Sequence, residues 1–188
     1  MELVSEAIEF AVKAHDGMRR KKSATPYILH PLEAAVIVGT MTNDQEIIAG
    51  AILHDVVEDT DITIDEIEEK FGKRVRELVE SETENKRADL PAGQTWRIRK
   101  EESLEVLKNT NDIGVLMLWL GDKLANIRSL YRDLQIEGNA VWEKFNQKDV
   151  NEHAWYYFSI VKYTERLSHM AAWLEFKTFV ELVFGKGV

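Results

Sequence analysis

Chain-breaking residues are scarce in this sequence, and that scarcity constrains its fold more than any other feature. The 188 residues include only three prolines and ten glycines. Between these breaks, apolar residues recur every three or four positions, as on one face of an α-helix. The first such run is Val4, Ala7, Ile8, Ala11 and Ala14. A chain of this length has room for one domain. The sequence therefore predicts a single all-α domain over residues 1–188, with about eight or nine helices.

Several helix ends carry recognisable signals. Pro31 suits the first turn of the second predicted helix, where the backbone N–H that proline lacks has no partner anyway. Asn43 or Asp44 can cap the third helix, and Thr63 with Glu66 has the spacing of a capping box. A polar loop at 84–95 follows the next segment. Beyond it, the predicted helices span 96–108, 113–130, 151–167 and 168–184.

Composition excludes several classes of function. Acidic residues outnumber basic ones by 33 to 24, which gives a net charge of −9. General nucleic-acid binding needs a basic surface and is disfavoured, although a local basic pocket could still hold a small anionic substrate. The absence of cysteine excludes disulfides, zinc–cysteine sites and thiol nucleophiles.

The same features predict a cytoplasmic protein without a membrane partner. A cysteine-free acidic chain suits a reducing compartment, and the N-terminal segment lacks the layout of a signal peptide. The longest apolar run covers only residues 113–120, whereas a membrane-spanning helix needs about 18 residues.

A cluster of polar side chains follows the apolar stretch at 47–53. His54 and Asp55 come first, and Glu58 and Asp59 follow after two valines. Residues four apart share a helical face, so His54 is expected beside Glu58. By the same spacing, Asp55 is expected beside Asp59. Buried carboxylates repel one another unless a cation or a proton compensates them. The pattern indicates a divalent-metal site; the alternative is a solvated helix end.

Asp122 is another candidate for a buried carboxylate. It follows a run that is apolar on every side, and a carboxylate in such a place needs a partner. Asn126 and Ser129 lie one and two turns further along on the same helical face. The alternative is that Asp122 pairs at the surface with Lys123 or Arg128.

Histidines and aspartates together would form a mixed set of nitrogen and oxygen ligands. Such a set suits Mn, Fe, Co or Zn better than Ca or Mg. A six-coordinate metal with four protein ligands leaves room for water and for a phosphoryl oxygen. Taken singly, His15, His30 and His169 have a structural interpretation.

These motifs resemble those of the HD phosphohydrolase superfamily. The resemblance lies in an H…HD…D pattern, here His30-Pro31, then His54-Asp55 within HDVVEDT, then Asp122. More narrowly, the chain resembles the hydrolase domain of RelA/SpoT enzymes and the stand-alone small alarmone hydrolases. The matching strings are AVKAHDGMRRK, TPYILHPLEAA, GAILHDVVEDT, FGKRVRELVE and GDKLANIRSL. They run in family order over residues 5–131, whereas the C-terminal helices at 151–184 match less clearly.

The resemblance implies a single HD-domain helical bundle that binds one Mn²⁺. The ligands that it implies are His30, His54, Asp55 and Asp122. It also implies hydrolysis of the 3′-pyrophosphate of ppGpp or pppGpp, which releases GDP or GTP and pyrophosphate and belongs to the stringent response. In that family, the residues that match Glu58 and Asp59 handle the attacking water.

Substrate contacts of the family match five further positions. Arg20 and Lys21 match a basic pair that contacts the guanine nucleotide. Asn126 and Ser129 match polar positions that bind the nucleoside, and Tyr157 matches a ligand-contacting tyrosine. The implied partner is therefore a small phosphorylated nucleotide.

Departures from the family pattern leave the base preference open. The family string ADRLHNMRT reads GDKLANIRS here, so Ala125 replaces a histidine and Ser129 replaces a threonine. The loop 84–95 and the basic segment 96–100 also differ; these basic residues either reach phosphates or form a solvated helix face. No segment is long enough for a synthetase or regulatory domain, so a hydrolase without synthetic activity is expected.

Two other functions stay open. The same metal chemistry could act on another nucleotide, such as ppApp or the 2′-phosphate of NADPH. A non-catalytic helical module that binds nucleotides is the alternative from outside the enzymes. The aromatic C-terminal helices could pack internally or against a second subunit, so a homo-oligomer stays open as well.

Overall fold

The described part of the chain is entirely helical apart from its loops and turns. A computed structural model describes residues 2–87 and 89–186. Within these ranges the chain forms ten α-helices, two short 3-10 helices and no β-strand. The all-α prediction is confirmed. In the described residues, no helix is both long and apolar enough to cross a membrane.

The helices follow one another with short connections. In chain order they are α1 (Leu3–Ala14), α2 (Leu29–Gly39), α3 (Gln45–Leu53), α4 (Val56–Asp59), α5 (Ile64–Phe71), α6 (Lys73–Glu82), α7 (Ala92–Asn109), α8 (Ile113–Glu137), α9 (Val150–Tyr163) and α10 (Ala171–Phe184). The 3-10 helices are Gly138–Lys144 and Glu165–Leu167.

The chain divides into two compact units. The first comprises the residues up to Thr83 together with Asp112–Ala125, and the second comprises Glu84–Asn111 and the residues from Asn126 onward. Helix α8 therefore begins in the first unit and ends in the second. That residues 1–188 form a single domain stays a prediction.

Helix α3 lies at the centre of the first unit. It packs against α1, α2 and α6, and six of its nine residues are buried. A Cβ atom at Gly50 would lie 3.0 Å from the Cβ atom of Leu78 and 3.1 Å from the Cδ1 atom of Leu118. A helix enclosed on every side must be apolar all round, which explains the apolar stretch 47–53. This buried helix carries the chain directly to His54.

Capping interactions, two of which the sequence predicted, set the starts of several helices. The Asp44 side chain accepts a hydrogen bond from the backbone N–H of Glu46 at the start of α3. Thr63 and Glu66 form the predicted capping box. Asp112 Oδ1 accepts the backbone N–H of Gly114, at 2.8 Å, at the start of α8. Each cap satisfies an N–H group that a helix start leaves unpaired.

Some predicted helix boundaries were wrong. Helix α7 begins at Ala92, directly after Pro91, rather than at Trp96, and α8 continues to Glu137. The final helices do not meet at residues 167 and 168, because α9 ends before Thr164. The N–H of Leu167 donates to the carbonyl of Thr164 at 2.8 Å, three residues back, so the chain continues as a short 3-10 helix.

Aromatic side chains form the core of the second unit, where α9 packs against α7 and α10. His153 is buried there, its Nε2 atom lies 2.9 Å from the carbonyl oxygen of Gln147, and its ring contacts Trp96, Trp142 and Phe145. Burial lowers the pKa of His153. We interpret this histidine as a structural residue.

Gly121 allows α8 to approach α2 closely. A Cβ atom there would lie 2.6 Å from Val38 Cγ2 and 2.9 Å from the backbone oxygen of Ala34. We expect Gly121→Ala to lower the free energy of unfolding by about 1–3 kcal/mol through overpacking, despite the better helix propensity of alanine. Denaturant unfolding measures this change. Gly39→Ala is the control, because a Cβ atom at Gly39 meets no described atom within 4 Å; equal effects of both variants would contradict the expectation.

Candidate metal centre

Two polar residues lie in the short turn between α3 and α4. Helix α3 ends at Leu53 and α4 begins at Val56, so the third predicted helix is interrupted at His54 and Asp55. The backbone stays near helical values there, and the N–H of Asp59 still donates to the carbonyl of Asp55 at 2.9 Å. The predicted one-turn relation between Asp55 and Asp59 is therefore kept.

Four predicted ligands converge from three places in the sequence. His30 Nε2 lies 2.9 Å from Asp122 Oδ1 and 3.5 Å from Asp55 Oδ2. His54 Nε2 lies 3.2 Å from Asp55 Oδ2 and 3.5 Å from Asp122 Oδ1. Atoms bound to a common ion at about 2.0–2.2 Å lie roughly 3 Å apart. His30, His54 and Asp122 thus have the spacing of one metal site, and Asp55 lies beside both histidines.

The orientation of His54 fits a metal ligand. Its Nδ1 atom lies 2.8 Å from the carbonyl oxygen of Ala51, a contact that assigns the proton to Nδ1. Its buried Nε2 atom has no hydrogen-bond partner among the residues that the structure describes. A ligand histidine commonly donates through one ring nitrogen and binds the metal through the other. His30, His54 and Asp122 are also all buried, and their ligand atoms lie within 4.8 Å of one another.

The ionisation of these side chains supports a site for a cation. Burial opposes charge on His54, but the charges and hydrogen bonds of Asp55 and Asp122 together outweigh burial and raise the pKa of His54 well above its ordinary value. Burial also opposes charge on Asp122, yet the positive charge of Lys123 together with the hydrogen bonds of His30 and His54 holds the pKa of Asp122 well below its ordinary value. The site therefore presents ionised carboxylates in a buried place, where a cation offsets their repulsion.

Lys123 joins Asp122 to a second buried carboxylate. Its Nζ atom contacts Asp122 Oδ2 and lies 3.3 Å from Glu82 Oε1. The Glu82 side chain is 2% exposed, and burial raises the pKa of Glu82 to about 7. The predicted alternative placed Asp122 at the surface, paired with Lys123 or Arg128. Asp122 does contact Lys123, but it is buried, so a surface pair is wrong. Arg128 pairs with Glu175 instead.

Tyr27 connects the cluster of predicted metal ligands to Asp59. Its hydroxyl lies 2.7 Å from Asp55 Oδ2 and 2.6 Å from Asp59 Oδ2. Burial, with the charges of both carboxylates, raises the pKa of Tyr27 far above its ordinary value. The phenol is therefore a neutral donor to these carboxylates.

The remaining predicted residues of the first unit lie around this cluster. Glu58 is half-buried in α4, one residue before Asp59. Arg20 is half-buried, and its Cζ atom lies 5.6 Å from the ring centroid of Tyr27. Lys21 is exposed in the loop between α1 and α2. The structure thus brings Asp59 and Arg20 to Tyr27, beside the predicted ligands.

Three predicted substrate contacts belong to the second unit. Asn126 and Ser129 are half-buried in α8, downstream of Asp122. Tyr157 is 8% exposed, with its ring 5.5 Å from that of Phe184 and 6.1 Å from that of Phe176. Their predicted roles stay predictions.

Two of the three basic residues of segment 96–100 do not lie on a solvated helix face, which was one of the two interpretations of this segment. Arg99 and Lys100 are 11% and 18% exposed, and both contact Glu84, at 2.7 and 2.6 Å. Arg97 contacts Glu152 at 2.8 Å. That these basic residues reach a phosphate stays a prediction.

Sequence reasoning missed several residues of the cluster. Glu82 carried a signal, because it continues the apolar spacing of Val75, Leu78 and Val79 on α6 and a carboxylate on that face is expected to be buried. Tyr27 carried none, since its contacts with Asp55 and Asp59 span 28 and 32 residues.

His15 is buried beside Tyr27, with ring centroids 5.0 Å apart, whereas His169 is exposed.

Comparison with curated proteins finds relatives that are much longer than this chain. Guanosine-3′,5′-bis(diphosphate) 3′-pyrophosphohydrolase of Aquifex aeolicus is 38% identical over 130 residues, which are 69% of this chain and 18% of that protein. GTP pyrophosphokinase rsh of Brucella ovis is 38% identical over 128 residues, 68% of this chain and 17% of that protein. The chain therefore spans less than a fifth of these relatives.

Solved structures of similar length share the fold. One, described as a metazoan ortholog of SpoT that hydrolyzes ppGpp, has a TM-score of 0.76 and 25% identity, and the match covers 99% of this chain and 98% of the other. The protein lmo0812 of Listeria monocytogenes has a TM-score of 0.72 and 30% identity, covering 86% and 97%.

A family model described as HD domain matches residues 7–149. The match includes all four predicted metal ligands and the HDVVEDT string. HD domains hold a divalent metal, which agrees with the buried cluster of His30, His54 and Asp122. The resemblance that the motifs predicted is confirmed: the chain belongs to the HD domain family.

Proposed function

We propose that this protein is a Mn²⁺-dependent hydrolase of guanosine alarmones, which converts ppGpp or pppGpp to GDP or GTP and pyrophosphate. The observation that carries the proposal is the convergence of His30, His54, Asp55 and Asp122, with Asp59 held beside them through Tyr27. Relatives named for ppGpp hydrolysis supply the substrate. With such a substrate, the protein would act in the stringent response.

The four ligands would hold the metal, which when bound would neutralise phosphate charge and acidify water. A mixed set of imidazole and carboxylate ligands suits Mn²⁺, and it also suits Fe, Co or Zn. Manganese is therefore the proposed ion rather than an assigned one.

Glu58 and Asp59 are the proposed catalytic residues. They orient a water molecule and accept one of its protons, while the oxygen attacks the phosphorus next to the ribose 3′-oxygen. The bond between that phosphorus and the 3′-oxygen breaks, and the 3′-oxygen takes up a proton. Water is thus divided between the two products, pyrophosphate and the 3′-hydroxyl of GDP. General-base catalysis of this kind contributes about 10²–10⁴-fold.

Substrate recognition is assigned to basic and polar residues. Arg20 and Lys21 would contact the guanine nucleotide, and Arg20 lies on the ring of Tyr27. Asn126, Ser129 and Tyr157 would contact the nucleoside. Positive charge near phosphate oxygens offsets their repulsion by the acidic cluster.

A second candidate substrate is suggested by Ala125, which is 1% exposed on α8. This residue replaces a histidine of the family pattern, so an adenosine alarmone such as ppApp, or the 2′-phosphate of NADPH, stays a candidate. A non-catalytic nucleotide-binding module is the remaining alternative. Placement in the cytoplasm, assembly into a homo-oligomer and the lack of nucleic-acid or membrane partners stay predictions from the sequence.

Steady-state kinetics with a panel of substrates tests the proposal. The Mn²⁺-loaded protein is incubated with ppGpp, pppGpp, ppApp and NADPH, and each product is quantified by chromatography. We expect the highest kcat/KM with a guanosine alarmone. Preferred turnover of ppApp or NADPH would keep the metal chemistry and contradict the substrate assignment. Binding of ppGpp without turnover would support the non-catalytic alternative.

A further inference from the structure

We propose that Tyr27 is a positioning residue, whose hydroxyl fixes the metal ligand Asp55 and the carboxylate of Asp59 relative to each other. The proposal about Asp59 rests on the proposed function, whereas the proposal about Asp55 rests on the metal site alone. Tyr27 is neither one of the predicted metal ligands nor one of the residues predicted to handle water.

The geometry of the hydroxyl carries this inference. A phenol has one proton to donate, yet the Tyr27 oxygen lies 2.7 Å from Asp55 Oδ2 and 2.6 Å from Asp59 Oδ2. Both distances are within the ordinary range for O–H···O bonds and also fall in the range of bonds to ionised acceptors. The one hydroxyl contacts both carboxylates and so links their positions. If either carboxylate rotated away, it would lose its hydrogen bond to the phenol. The oxygen of Asp55 that accepts this bond also lies 3.2 Å from His54 Nε2.

The ring of Tyr27 is itself held firmly in place. The backbone N–H of Tyr27 donates to the carbonyl of Met18 at 3.0 Å, and the backbone N–H of His30 donates to the carbonyl of Tyr27 at 2.9 Å. The ring centroid lies 5.0 Å from that of His15, and the Arg20 guanidinium lies over the ring. Side chains that orient ligands act well only when packing fixes their own position.

Tyr27 also places two parts of the proposed site in contact. Arg20, the proposed nucleotide contact, lies on its ring, whereas the carboxylates accept from its hydroxyl. Phenylalanine would keep the ring beside Arg20 and His15 and remove only the hydroxyl. Tyr27→Phe therefore isolates the effect on the two carboxylates.

We expect Tyr27→Phe to weaken Mn²⁺ binding about 10–100-fold, the usual effect of removing a hydrogen-bond partner of a metal ligand. For the proposed reaction, kcat should fall while KM changes little, because the ring still supports Arg20. Tyr163→Phe is the matched control, because Tyr163 is the last residue of α9 in the second unit. It should bind Mn²⁺ as the unmodified protein does.

The experiment titrates metal-free protein with Mn²⁺ and follows free Mn²⁺ by electron paramagnetic resonance. Thermal unfolding of the metal-free variants is measured in parallel, to show that each is folded. Unchanged Mn²⁺ affinity of folded Tyr27→Phe would overturn the proposal for Asp55. This titration uses no substrate, so it gives its answer even if ppGpp proves not to be hydrolysed.

A double-mutant cycle separates positioning from a general structural role. If Asp59 anchors the Tyr27 hydroxyl in its position against Asp55, Asp59→Asn should reduce the effect of Tyr27→Phe on Mn²⁺ affinity by at least about threefold. Additive effects of the two substitutions would overturn the coupling. If Tyr27→Phe acted only by partial loss of folding, its effect on Mn²⁺ affinity would be the same in the unmodified protein and in Asp59→Asn.

Discussion

Asp55→Ala is expected to abolish Mn²⁺ binding and alarmone hydrolysis together. Asp55 Oδ2 lies within 3.5 Å of both candidate histidine nitrogens, so its removal takes one of the four proposed ligands from the cluster. The loss in affinity should exceed the roughly 100-fold that removal of a mere outer partner causes. Metal content after dialysis and kcat/KM with ppGpp measure the two losses.

Asp61→Ala is the matched control for this variant. Asp61 is exposed and lies six residues further along the chain, so the same chemical change should leave metal content and rate unaltered. Full metal content in a folded Asp55→Ala variant would contradict the assignment of Asp55 as a ligand. Metal loss in the control would instead indicate a general effect of acidic charge.

Glu58→Gln is expected to retain the metal and lose rate. Glutamine preserves the shape of the side chain but cannot accept a proton from water, so kcat should fall about 10²–10⁴-fold. Glu58 is half-buried in α4 and is not one of the four proposed ligands. Metal content, KM and kcat are measured on the same preparation, so that loss of binding and loss of chemistry are separated.

The control for this variant is Glu69→Gln, a substitution at an exposed position of α5. It should leave kcat unchanged. Full activity of metal-loaded Glu58→Gln would contradict the role of Glu58 in handling water. It would leave Asp59 as the sole proposed acceptor of the proton.

The helices and the buried charge at His54 and Asp122 were predictable because their signals are local. The apolar spacing of Val4, Ala7 and Ala11 predicted α1, and the caps at Asp44 and Thr63 were placed correctly. The HD dipeptide at the end of a run as apolar as α3 implied buried charge, since a charge in such a place needs compensation. The structure agrees, with His54 3% and Asp122 4% exposed.

Long-range contacts were not predictable from one sequence. The bonds of Tyr27 to Asp55 and Asp59 depend on how the loop after α1 folds back, and the pairing of Lys123 with Glu82 depends on how α6 meets α8. The break between α3 and α4 was also missed, because the period of apolar residues continues through it. Side chains that support a site are fixed by tertiary packing rather than by local pattern.

Hydrolysis of ppGpp in ¹⁸O-labelled water is the most direct test of the central claim. The Mn²⁺-loaded protein is incubated with ppGpp, and the products are identified by mass spectrometry. Attack at the phosphorus next to the 3′-oxygen predicts unlabelled GDP and pyrophosphate that carries a single ¹⁸O atom. Intact ppGpp, label in the GDP, or release of inorganic phosphate in place of pyrophosphate would contradict the account.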